Sequence, residues 1–143
     1  MRTKLAKLLP AVVFLLCAAM AFAASPGADK DPDHALADLM AGNARFAKGE
    51  SLHPDQDAAR LATLRHAQDP GAIILSCSDS RVPPEIIFDQ GIGHVFSVRL
   101  AGNVATPGGM GTAEYGVAKL GVRLLVVMGH TDCGAVQAVL SGA

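Results

Sequence analysis

The stretch Ala72-Ile73-Ile74-Leu75 constrains this chain more than any other, because a short, unbroken apolar run is what a strand buried on both faces of a parallel sheet requires. Val122 to Met128 (VRLLVVM) is the strongest run of this kind, and His94 to Val98 (HVFSV) is a weaker one. Between the last two, GGMGTAEYGVAKLG predicts a helix from about Gly111 to Leu120, stopped by Gly121. Between Leu75 and His94 a short helical turn is expected. Strand, turn, strand, helix, strand is the order of an α/β fold with right-handed crossovers, so the expected architecture is a parallel β-sheet core flanked by helices. A last helix is expected from Ala135 to Leu140.

Two more helices are expected upstream. In DHALADLMAGNARFAKGE, Leu36, Leu39, Met40 and Phe46 stand near helical spacing, with Asp33 as the cap and Gly49 as the stop. Asp55 to Gln68 forms the second, ended by Asp69-Pro70-Gly71. Both are expected to pack outside the sheet or against a partner.

The first residues have a different grammar. Arg2, Lys4 and Lys7 precede an apolar run from Leu8 to about Ala21 and the small-residue pattern Ala21-Phe22-Ala23, which is the pattern of a cleavable secretory signal peptide at 1–23. The run is short for a bilayer and contains Pro10, which argues against an anchor; Leu16 before Cys17 argues against a lipid attachment site. The expectation is a periplasmic or secreted single domain at 24–143. The leader holds three of the twelve basic residues and none of the thirteen acidic ones, so what remains carries about −4. That balance offers nucleic acid or an anionic membrane no electrostatic footing.

Two of the three cysteines, Cys77 and Cys133, lie in the domain, and in an oxidising compartment a disulfide is the ordinary expectation. Their neighbours open another reading. Ligand sites of open parallel sheets gather beyond the carboxyl ends of the strands. Cys77 follows the first strand and His130 the third, and Cys133 comes three residues after His130 at the start of a helix. Two thiolates and one imidazole with a fourth position open is a catalytic-zinc pattern, since a structural site is usually closed by a fourth protein ligand. On spacing alone, zinc, a disulfide and two buried thiols all remain open. Asp79 and Arg81 lie two and four residues beyond Cys77. A surface ion pair is one reading of them; the other has Arg81 fixing Asp79 so that its carboxylate orients a zinc-bound hydroxide or closes the metal as a fourth ligand.

CSDSRVPPE (Cys77 to Glu85) together with GHTDCGAV (Gly129 to Val136) resembles the β class of carbonic anhydrases. LMAGNARF, GIGHVFSVRLAGN and AEYGVAKLGV extend the resemblance over nearly the whole domain. It implies one Zn²⁺ per chain held by Cys77, His130 and Cys133, a catalytic dyad of Asp79 and Arg81, and reversible hydration of CO₂ to bicarbonate and a proton by zinc-bound hydroxide. It further implies that Gln68, Phe96 and Tyr115 line the substrate pocket of a neighbouring subunit, hence a homodimer or higher even oligomer. Family members continue past the position of Ala143, so the resemblance implies a fold incomplete at its C-terminus. Where some members place a tryptophan beside an inhibitory bicarbonate, this chain has Ile74. His34, His53, His66 and His94 are candidates for a proton shuttle. The alternatives to CO₂ hydration are hydrolysis of a CO₂ analogue such as COS or CS₂, and a catalytically silent zinc-binding remnant.

Overall fold

The computed structural model describes residues 30–142; the leader expected at 1–23 lies outside them. In chain order the elements are α1 (Pro32–Lys48), α2 (Ala58–Thr63), β1 (Ala72–Cys77), α3 (Pro84–Ile87), β2 (Val95–Leu100), a 3₁₀ turn at Ala101–Asn103, α4 (Pro107–Ala118), β3 (Leu125–Met128) and α5 (Gly134–Leu140). The three strands form one parallel sheet in the order β2-β1-β3. The central strand is buried at all six positions, as its unbroken apolar run requires.

Alternation along β1 divides the core in two. Ala72 and Ile74 pack with Leu39 of α1 and Phe88 after α3, whereas Ile73 and Leu75 pack with Val98, Val122 and the α4 side. Cys77 has the parity of Ile73 and Leu75, and its Cα partner on β2 is Leu100. Among the described residues no helix is long and apolar enough to cross a membrane.

Several boundaries differ from the sequence expectation, each for a local reason. The cap of α1 is Asp31 and not Asp33, accepting from the amides of Asp33 and His34; Pro32 suits the first helical position, so the helix starts earlier. Its buried stripe is Ala35, Leu39 and Gly42, while Leu36, Met40 and Phe46 are exposed. Small residues win this face because α1 comes close: a Cβ on Gly42 would run into the Phe88 carbonyl oxygen. Asn43 and Arg45 of the same helix bond Ile87 O and the Asp89 carboxylate, so α1 lies against one face of the sheet and is docked on the segment after α3.

Helix α2 ends at Thr63, short of Gln68. Arg60 is buried and donates to Ile92 O, and Leu64 abuts Gly93, so docking on that loop takes precedence over the continuing helical pattern. Thr106 caps α4 ahead of Pro107, four residues before the expected start. Val122 is buried but precedes β3, because after Gly121 (φ 69°) its amide bonds Gly116 O at the end of α4. The strongest apolar run therefore yields the shortest strand.

Candidate metal centre

The end of β1 and the end of β3 meet because their strands are neighbours. The pairing of Ser76 with Met128 places the two exits side by side, and Cys77 Sγ stands 3.9 Å from Cys133 Sγ, 56 positions away along the chain. The two cysteines are free. Cys77 Sγ, Cys133 Sγ and a ring nitrogen of His130 all lie within 4.8 Å of one another. The Nδ1 of His130 donates to Thr131 O at 2.9 Å, which leaves Nε2 facing the sulfurs. That Nε2 is buried and has no hydrogen-bond partner. Asp132, between the two ligand positions, takes φ 53°, a left-handed turn that aspartate tolerates.

Asp79 and Arg81 are paired closely. Arg81 Nε donates to Asp79 Oδ1 at 2.9 Å and Nη2 to Oδ2 at 2.8 Å, while the Arg81 amide also donates to Oδ1. Arg81 Nη2 reaches Asp132 O as well, at 3.1 Å, so it ties the β1 turn to the β3 turn. Asp79 Oδ2 stands 3.9 Å from His130 Nε2, beside the ligand cluster and turned to Arg81.

The electrostatics follow from these contacts. The facing His130 imidazole, though outside good hydrogen-bond geometry to the sulfur, is the largest influence drawing the Cys77 thiol down to about 6; the amides of Asp79 and Gly102 and the Cys133 thiol act the same way, and burial opposes them. His130 is raised chiefly by Cys77, again against burial. Hydrogen bonds from Arg81 hold the Asp79 carboxyl well below the usual carboxylate range, and Asp79 in turn raises Arg81.

The donor set fits zinc. Two thiolates bound tetrahedrally to one Zn²⁺ at about 2.3 Å stand about 3.8 Å apart. The observed separation is 3.9 Å, and the orphaned Nε2 supplies the third donor.

The expected pocket residues are elsewhere. Phe96 lies four positions before Leu100 on β2, about 13 Å along the strand from the level of Cys77, and its ring centroid is 6.0 Å from that of Tyr115 on α4. Tyr115 and Gln68 are exposed. Of the shuttle candidates, His94 is engaged with Asp55 through Nε2 at 2.7 Å.

Two contributors went unnoticed in the sequence. The Gly102 amide donates to Cys77 Sγ at 3.3 Å, and Arg99 donates to the carbonyls of Cys77 and Asp79. Gly102 had a signal, a glycine two residues beyond the end of β2; Arg99 had none.

A parallel sheet that delivers two thiols and an imidazole to one edge, with a carboxylate/guanidinium pair beside them, makes a set of side chains that could hold one metal ion, with the donor types of catalytic zinc sites. The family profile described as carbonic anhydrase matches residues 72–143. Carbonic anhydrase of Mycolicibacterium smegmatis is 50% identical over 113 residues, covering 79% of this chain and 55% of that protein. Carbonic anhydrase of Pseudomonas aeruginosa is 40% identical over 114 residues, covering 76% of this chain and 50% of the relative. Among solved structures, a Coccomyxa β-carbonic anhydrase superposes with a TM-score of 0.55 at 30% identity, over 73% of this chain and 47% of its own. One from Sordaria macrospora, described as tetrameric, gives 0.55 at 27% identity over 75% of this chain and 54% of its own. The chain belongs to the β-class carbonic anhydrase family. It spans about half the length of the curated relatives it matches.

Proposed function

We propose that this chain, loaded with zinc, interconverts CO₂ and bicarbonate. The observation that carries the reading is the convergence of Cys77, His130 and Cys133 within 4.8 Å beside the Asp79/Arg81 pair. Zinc in such a set lowers the pKa of a bound water to about 7, making a nucleophile available near neutrality.

The chain's own residues have separable parts in this. Cys77 Sγ, Cys133 Sγ and His130 Nε2 would hold the metal, and Thr131 O fixes the His130 tautomer that leaves Nε2 free to do so. Arg81 keeps Asp79 ionised, so Oδ2, 3.9 Å from His130 Nε2, is an acceptor beside the three side chains that would hold the metal. An acceptor there would take a hydrogen bond from a hydroxide supplied by the metal and so orient it toward CO₂.

The assembly belongs to the same proposal. Phe96 and Tyr115 stand remote from the centre of their own chain, so a role in lining the pocket requires a neighbouring copy; Gln68 is exposed and free to join them. The proposed state is therefore a homodimer or higher even oligomer, exported by the leader at 1–23.

Stopped-flow CO₂ hydration by the zinc-loaded chain, with a mass measurement of the oligomer, tests the reading. Cys77→Ser is expected to abolish stoichiometric zinc and turnover together. Asp79→Asn keeps the metal and loses about 10- to 100-fold in turnover. A folded, zinc-loaded chain with no hydration above the buffer rate refutes the proposal.

A further inference from the structure

We infer that Arg99 is a positioning residue of the metal centre, fixing the backbone turn that carries both Cys77 and Asp79; the inference rests on the metal-centre reading above. The ladder between β1 and β2 runs out at Cys77, paired with Leu100, and the Ser78 amide makes one more bond, to Leu100 O. Beyond it the chain leaves the sheet at the point where the chemistry begins. The carbonyls of Cys77 and Asp79 are taken instead by one side chain: Arg99 Nε donates to Cys77 O at 3.1 Å and Nη2 to Asp79 O at 2.7 Å.

A guanidinium is a rigid planar fork, and each peptide group is a rigid plane. Holding these two carbonyls therefore fixes two peptide planes relative to each other, with only Ser78 and Asp79 between them. The directions in which the Cys77 thiolate and the Asp79 carboxylate leave the backbone follow from that. The geometry is selective, because the strand partner of Arg99 is Ser76, whose buried hydroxyl has no partner, yet the guanidinium serves the two carbonyls further on. Arg81 acts differently, being 60% exposed and bonded to the Asp79 carboxylate, not to its backbone carbonyl. One arginine sets the charge of Asp79, and the other sets where Cys77 and Asp79 stand. Gly102, at the end of the same segment, adds its amide bond to the Cys77 sulfur.

The test uses the full chain stripped of metal and titrated with Co²⁺ against a competing chelator. It reads the thiolate-to-cobalt charge-transfer band, the visible ligand-field bands and, separately, the unfolding midpoint. Arg99→Met keeps the length of the side chain and removes both donors; Arg99→Lys offers a compact ammonium that serves one carbonyl well and not both. Arg99→Met is expected to raise the cobalt Kd about 10- to 100-fold and to shift the visible bands, with Arg99→Lys recovering part of both. A purely structural role lowers the midpoint and leaves Kd and spectrum unchanged in the folded protein, and that result overturns the inference. Should Arg99→Met fail to fold, Arg99→Lys decides alone: a wild-type Kd and spectrum there is equally fatal. Absence of any thiolate-cobalt band in the unsubstituted chain defeats the metal-centre reading itself, a different failure from wild-type binding by the variants.

Discussion

Replacing Gly102 by alanine isolates backbone strain at the edge of the metal centre. Gly102 takes φ 65° inside the 3₁₀ turn, the left-handed region, and from there its amide reaches Cys77 Sγ. A Cβ added at this position meets Ala135 Cβ at 3.6 Å and the Cγ2 atoms of Val104 and Val136 at 3.7 Å, all ordinary contacts. No clash contributes, so the cost is conformational. An L-residue in this region costs about 1–2 kcal/mol, offset in part by about 0.4–1 kcal/mol from the stiffer unfolded chain. The net loss expected for Gly102→Ala is about 1 kcal/mol, or a Tm about 4 °C lower. Gly102→Asn recovers part of that, because asparagine visits the left-handed region at lower cost. Urea unfolding of the full chain measures both variants, and cobalt titration follows the thiolate bond. Since every variant keeps the amide and there is room for the Cβ, cobalt affinity is expected to stay near wild type. An unchanged unfolding free energy with a tenfold weaker cobalt site means that the turn relaxed, which contradicts strain as the cause; so does an asparagine variant less stable than the alanine one.

Two further outcomes follow from the same contacts. The Asp89 carboxyl is drawn to about 2, first by the Leu52 amide and then by Arg45 and the His53 amide; its folded value lies below the unfolded one, so its contribution is complete above about pH 4 and fades as the pH falls toward 2. Acid unfolding of Asp89→Asn, followed by circular dichroism, is expected to lose that part of the pH dependence, and an identical acid limb refutes it. Cys77 and Cys133 are close enough for an intramolecular disulfide once metal is removed: the Cys77 thiolate attacks an added small-molecule disulfide and releases one thiol, then Cys133 displaces the second. Mass spectrometry is expected to show loss of two hydrogens in the stripped chain only; equal oxidation of the zinc-loaded chain contradicts ligation by both sulfurs.

The apolar runs made the sheet legible because a strand buried on both faces needs an uninterrupted run, and Ala72 to Leu75 supplied one within β1. Element boundaries were less legible, for they depend on contacts between elements. Arg60 docking on Ile92 shortened α2, and Gly42 against the Phe88 carbonyl turned α1 by one residue from the face its large apolar side chains suggested. The convergence of Cys77, His130 and Cys133 could be read because strand ends deliver those three side chains to one edge. Arg99 could not, since nothing in a local pattern distinguishes an arginine that holds two backbone carbonyls from one in solvent. Gln68, Phe96 and Tyr115 are a third case: no property of a single chain places them at the centre, and their proposed role depends on a second copy.

A metal held as proposed would also have a mechanical consequence, because its three candidate ligands follow two strands of unequal security. β1 pairs with β2 over six positions and with β3 over four, and β3 is the strand whose Leu125 and Val127 stay 48% and 61% exposed. Cys77 belongs to β1, whereas His130 and Cys133 follow β3, so an ion bound to all three ties the weaker strand to the stronger one. Binding free energy delivered there opposes the opening of β3 before that of β2. At a free zinc concentration one hundred times Kd the linkage is worth about 2.7 kcal/mol, equivalent to about a hundredfold in the opening equilibrium. Hydrogen exchange with and without a chelator reads this directly. Amides of Leu125–Met128 are expected to lose about a hundredfold protection on stripping, and those of Val95–Leu100 distinctly less. Equal losses in the two strands mean that the metal secures the domain as a whole and not β3 in particular; no loss in either means that the three side chains do not hold it.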